Sequence, residues 1–161
     1  MRLAVALLAV VSTLFGCSNR PPADHFIAVL DRLHVPAAWT LAYAAVRAPG
    51  STFIACEFVV NSDCPSAHRF YLVNGDPAPA YGDAKAMLIE AGFLIADEFN
   101  PDCIDSHDPV LACELTATSG SDGLVVLFSD PGVDREELGI ADPTSSIVEL
   151  RAYPLPERRD P

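Results

Sequence analysis

The densest run of chemically capable side chains lies between residues 97 and 108, where Asp97, Glu98, Asp102, Asp105, His107 and Asp108 follow one another closely. Closely spaced carboxylates in a loop are the donors that Ca²⁺ takes, six to eight oxygens at about 2.3–2.6 Å. The run lacks the alternating Asp-x-Asp-x-Asp-Gly spacing and the distant Glu of a calcium loop. A metal site at Asp102, Asp105 and Asp108 is therefore the lesser expectation, and a solvated acidic loop fastened by Cys103 the leading one. Ser106-His107-Asp108 names the three residue types of a hydrolase triad. Consecutive residues cannot stack into that relay, which is defined by spatial geometry and not by adjacency. No Gly-x-Ser-x-Gly elbow and no His-Glu-x-x-His helix occurs. His25, His34 and His68 stand isolated in the sequence and read as ordinary surface or partly buried histidines. No catalytic residue, metal or cofactor is assigned on these grounds.

The first seventeen residues carry a different chemistry. Arg2 supplies one positive charge, an apolar run follows from Leu3 to Val11, and the stretch ends in Leu14-Phe15-Gly16-Cys17. A charged start, an apolar segment of roughly 7–15 residues and small residues at the end form the pattern of a signal peptide. The run falls short of the about 20 apolar residues that a spanning helix needs. Leu14-Phe15-Gly16-Cys17 resembles the lipobox of bacterial lipoproteins, although Phe15 is bulkier than the residue usual at that position. The resemblance covers this segment alone. It implies removal of residues 1–16, fatty acylation of Cys17, with palmitate among the chains, and display on the extracytoplasmic side of a cell membrane. The rest of the chain looks like the small envelope lipoproteins of high-GC bacteria.

Removal of that segment leaves 145 of the 161 residues, the size of one domain. All 22 acidic residues stay and only Arg2 is lost from the ten basic ones, so the side-chain charge becomes −13. Such acidity excludes a nucleic-acid partner, because phosphate backbones are bound through Lys and Arg. It also opposes adsorption on anionic headgroups, so the membrane is expected as a partner through the lipid alone. Four cysteines remain beyond Cys17, namely Cys56, Cys64, Cys103 and Cys113. An even number on the oxidising side of a membrane reads as two disulfides. Three connectivities are possible, and locality favours Cys56–Cys64 with Cys103–Cys113. Each would close a loop of roughly ten residues and contribute on the order of 2.5–3 kcal/mol. A redox or zinc role finds no support in the spacing, which contains no Cys-x-x-Cys.

The remaining elements must position these groups. Residues 17–22 form a lipidated tether, at most about 18 Å long over its last five residues. Asp24 is placed to cap a short helix whose apolar face is Phe26, Val29, Leu30 and Leu33. Strands are expected over Trp39–Val46, with Trp39, Leu41 and Tyr43 sharing a face, over Thr52–Val60 and over Arg69–Val73. Asp76-Pro77 opens the best-marked helix, with Ala84, Met87, Leu88 and Ala91 on one side and Gly92 past its end. Phe93–Phe99 follows as a strand, and the β-α-β succession carries neither a dinucleotide fingerprint nor a P-loop after Val73. In Leu111–Thr118, Leu111, Cys113, Leu115 and Ala117 point inward. A turn at Ser119–Gly123 leads to Leu124–Phe128, apolar throughout and so central in the sheet, and Ile147–Tyr153 closes the fold. Tyr71, Tyr81 and Phe99 lie near element ends, where packing is favoured over a recognition patch.

The fold expected is α+β: one mainly antiparallel sheet of five to six strands, one or two helices on one face, and two disulfides. It occupies residues 23–153, with 154–161 a frayed tail. The function expected is a membrane-tethered binding or interaction module of the cell envelope, its partner an envelope protein or small ligand. The alternative is a small envelope enzyme or ligand carrier with its site around residues 97–108.

Overall fold

A computed structural model describes residues 22–47, 64–74, 77–101, 103, 113–129 and 145–155. The helices are α1 (Ala23–Asp31) and α2 (Pro77–Glu90). The strands are β1 (Thr40–Arg47), β2 (Ser66–Asn74), β3 (Leu94–Phe99), β4 (Cys113–Ser119), β5 (Asp122–Ser129) and β6 (Ser145–Pro154). All six form one antiparallel sheet in the order β1-β2-β6-β5-β4-β3. The α+β expectation is met, with β5 internal to the sheet as its continuous apolar run implies. The expected β-α-β segment does not make a parallel pair: β2 and β3 lie four places apart, with β3 at an edge.

Both helices cover the same side. α1 packs on β1, β2 and β6, and α2 on β3, β4 and β5. Beneath them the inward residues of the central strands are sealed from water: Val148, Leu150 and Ala152 of β6, Leu124, Val126 and Phe128 of β5, and Cys113, Leu115 and Ala117 of β4. Phe26, Val29 and Leu30 meet this layer from α1, and Ala84, Met87 and Leu88 from α2. The period-2 and period-3.6 patterns thus deliver their apolar sides to one core.

The helix ends show how local chemistry operates. Pro22, not Asp24, occupies the N-cap of α1, and it makes no side-chain cap bond. Asp24 lies in the first turn, where a carboxylate favours the positive end of the helix dipole. α2 ends as its sequence predicts. Gly92 takes φ +83°, its N–H bonds to the Ile89 carbonyl at 3.0 Å, and the Phe93 N–H reaches the Leu88 carbonyl at 2.9 Å. That pair of bonds is a Schellman closure, and buried Phe93 leads the chain directly into β3.

Two strands depart from simple alternation. In β1 the register slips between Leu41 and Tyr43, so Leu41 opposes Tyr71 while Tyr43 opposes Phe70 on the other side of the sheet. Leu41 and Tyr43 therefore do not share a face as their spacing predicts. β3 slips likewise between Ile95 and Asp97. One extra residue in a strand sends every side chain beyond it to the opposite face.

Two disulfides are expected, and among the described residues one is complete: Cys103–Cys113, with Cα atoms 5.0 Å apart. Cys64 is a disulfide cysteine, buried just before β2. Cys56 lies outside the described residues, as do the predicted strand Thr52–Val60, Cys17 and the whole 1–16 segment. Pro154 belongs to β6, and the Leu155 N–H donates to the Ser121 carbonyl at 2.9 Å, so the predicted tail is tied to the sheet at its start. Among the described residues no helix is long and apolar enough to cross a membrane.

Candidate functional site

The expected acidic cluster does not form one site among the described residues. Strand alternation puts its first two members, Asp97 and Glu98, on opposite faces, and the slip before Asp97 decides which face each takes. Glu98 turns toward the helices, where the Tyr81 hydroxyl donates to Oε2 at 2.8 Å and Lys85 Nζ to Oε1 at 2.7 Å. Hydrogen bonds from Lys85 and Tyr81 hold the Glu98 carboxyl below its ordinary pKa. Burial, with Glu98 beside it, pushes the Tyr81 phenol well up. Asp97 faces the other side of the sheet and accepts the Glu98 N–H at 2.9 Å. Asp102, Asp105, His107 and Asp108 lie outside the described residues, and so does Ser106. Among those described, no group of three His, Cys, Asp or Glu side chains is gathered as metal ligands.

Asp97 has other company on the far face, the side of the sheet that the helices leave uncovered. With Phe99, Glu114 and Thr116 it lines a depression of about 260 Å³ across β3 and β4. Phe99 is 52% exposed there, whereas Tyr71 and Tyr81, the other two aromatics placed at element ends, are buried in the core. The Thr116 hydroxyl donates to Glu114 Oε1 at 3.2 Å. Neither Asp97 nor Glu114 has a cationic partner among the described residues. Two carboxylates beside an aromatic ring suit a cation that carries apolar surface, through charge and the ring's negative face.

The other half of the far face holds a relay that sequence reading missed. His68 of β2 is not isolated. Its Nδ1 lies 2.7 Å from Glu149 Oε1, and its Nε2 lies 2.8 Å from Ser66 Oγ. Since Glu149 can only accept, Nδ1 carries the ring proton and Nε2 is left to accept from the serine hydroxyl. Glu149 is held in turn by Arg151, whose Nε and Nη2 each lie 3.0 Å from the same Oε1. Burial works to raise the Glu149 pKa. The hydrogen bond from His68 and the charge of Arg151 outweigh it and bring the carboxyl below its ordinary value. Phe70 lies nearly parallel to the imidazole, at 12° and 6.5 Å between centroids, and Tyr43 packs on Phe70 at 5.8 Å.

Strand geometry explains the assembly. Ser66, His68 and Phe70 alternate onto one face of β2, and Glu149 and Arg151 onto the same face of β6. His68 opposes Arg151 and Phe70 opposes Glu149, so Glu149 reaches His68 along the diagonal. The i, i+2 spacing of Ser66 and His68 becomes a signal only because β2 begins at Ser66, three residues before the predicted start at Arg69.

Of the other described histidines, one is structural and one solvent-facing. His25 Nε2 of α1 meets buried Asp122 at 2.7 Å and ties the helix to the β4–β5 hairpin. His34 makes a 3.5 Å contact with Glu90 on the surface. Comparison with protein-family models, characterised proteins and solved structures finds no match to this chain.

Proposed function

We propose that this protein is an extracytoplasmic lipoprotein, acylated on Cys17 and held at a cell membrane through those chains, whose folded domain is a binding module of the envelope. Two features support the location: the Leu14-Phe15-Gly16-Cys17 run behind an apolar segment, and a disulfide at Cys103–Cys113 of the kind that persists in oxidising compartments. A second bridge, Cys56–Cys64, completes the pairing that locality favours. Non-reducing mass spectrometry of the protein from cells tests both, through the mass added at Cys17 and the cysteine-linked peptides. A Cys17→Ser protein that still fractionates with membranes at unchanged size sinks the anchoring.

The binding reading rests on one observation, the exposed Phe99 flanked by Asp97 and Glu114 in the depression across β3 and β4. The partner it fits is a cationic, partly apolar segment of another envelope protein. The chain's formal net charge of −12 steers such a segment toward the domain. An alternating Lys-Leu peptide is the probe. Its binding should weaken with added salt and fall at least tenfold in the Asp97→Asn, Glu114→Gln double variant. Equal affinity in that variant removes the depression as the site.

A further inference from the structure

We propose that Ser66 is an acyl-accepting nucleophile, with His68 as its general base and Glu149 as the positioning residue, in a reaction with small, uncharged acyl esters. The assignment goes beyond the binding module and is independent of the β3–β4 depression. It stands on connectivity and direction. A serine hydroxyl lies 2.8 Å from His68 Nε2, and a carboxylate 2.7 Å from Nδ1 of the same ring. That is the order of contacts by which an imidazole is fixed in the tautomer able to take a serine proton. Glu149 is itself kept ionised by the two nitrogens of Arg151 at 3.0 Å. It remains an acceptor and does not surrender its place to a protonated form. The stacked Phe70 ring restrains the imidazole plane.

The surroundings select the substrate class. Ser66 is 5% exposed and His68 6%, so only a compact electrophile reaches the hydroxyl. The acidic chain repels anionic esters, and aromatic Phe70 and Tyr43 line the neighbouring surface. In the reaction, Ser66 Oγ bonds to the acyl carbon as its proton passes to His68 Nε2. The bond from that carbon to the alcohol oxygen breaks, and the alcohol leaves with the proton from His68. Water, deprotonated by the same nitrogen, then attacks acyl-Ser66, releasing the carboxylic acid and restoring the hydroxyl.

The test uses the full-length protein in detergent and diisopropyl fluorophosphate, a compact reagent in which the Ser66 oxygen displaces fluoride from phosphorus. Peptide mapping should place the diisopropylphosphoryl group on Ser66, and Ser66→Ala should abolish it. His68→Ala should slow the labelling about 10²-fold or more, the ordinary contribution of a general base. Added imidazole should restore labelling in that variant, a response that a merely structural histidine does not produce. Glu149→Gln should slow labelling, and Glu149→Asp should recover part of it. Melting temperatures of each variant separate slow chemistry from loss of fold. An unmodified Ser66 in the wild-type protein overturns the proposal, and so does labelling that proceeds equally fast in folded His68→Ala.

Discussion

The two faces of one sheet are built to different rules. On the helix side, β4, β5 and β6 present Cys113, Leu115, Ala117, Leu124, Val126, Phe128, Val148, Leu150 and Ala152 to α1 and α2, and all are sealed from water. On the far side β4 and β6 carry Glu114, Thr116, Glu149 and Arg151, set among the apolar Val125, Leu127 and Ile147. Side chains on the helix side are interchangeable within limits of volume, because dispersion and burial have no direction. The polar ones on the far side act by direction: His68 serves only because Ser66 and Glu149 lie at opposite nitrogens. The contrast teaches where to look for chemistry in a small sheet domain, which is on the face that the helices do not need.

Substitutions should break or sharpen that contrast in a definite order. The largest effect is expected on the helix side. Phe26→Ala opens a cavity under α1 at a fully buried position and should cost about 3–5 kcal/mol in denaturant unfolding. The folded fraction should keep its reactivity at Ser66. Loss of the Cys103–Cys113 bridge, in the double Cys→Ser variant, frees a ten-residue separation and should cost about 2.5–3 kcal/mol. The shift of the unfolding midpoint on adding reductant should be larger in the wild type than in the variant, which keeps the bridge at Cys64.

Glu149→Gln lies between the two faces in character. It is a far-face residue with a side chain only 12% exposed, and it accepts from His68 and Arg151. Its loss should cost about 1.5–3 kcal/mol, the range for hydrogen bonds to a charged group. The sign of its pH dependence follows from its lowered pKa in the fold. The folded state binds fewer protons here than the unfolded chain. The stabilisation is therefore complete above the ordinary carboxylate value of about 4.3, and it disappears as pH falls through the lowered one. Urea midpoints measured from neutral pH into the acid range should show a smaller acid loss in Glu149→Gln than in wild type. An unchanged acid limb would falsify the role given to this carboxylate.

Smaller effects follow. Gly92→Ala meets no atom within 4 Å of the added Cβ, so its cost is backbone strain alone at φ +83°, about 1–2 kcal/mol. The Asp97→Asn, Glu114→Gln pair should leave stability within about 0.5 kcal/mol, as exposed or half-exposed substitutions do, while weakening the Lys-Leu peptide. A stability loss comparable to that of Glu149→Gln would assign those carboxylates to the fold and not to a partner.

Local pattern made much of the helix side legible. The spacing of Ala84, Met87 and Leu88, the Gly92 closure, the alternation of Cys113, Leu115 and Ala117, and the unbroken apolar run of β5 all keep in the structure the sense they have in the sequence. The far side was not legible in the same way. The sequence offers Ser106-His107-Asp108 as adjacent letters, whereas the relay that forms joins Ser66 and His68 to a carboxylate 81 positions beyond the histidine. Periodicity identifies which side of an element is apolar, because that property belongs to the element itself. Which polar side chain meets which depends on strand order and register. The β2–β6 pairing brought Glu149 to His68, and one-residue slips turned Tyr43 away from Leu41 and Asp97 away from Ile95. The sequence by itself therefore determined the buried sides of α2, β4 and β5, whose patterns run without a slip. The tertiary structure alone decided the site, since pairing between distant strands is not encoded in either strand's own pattern.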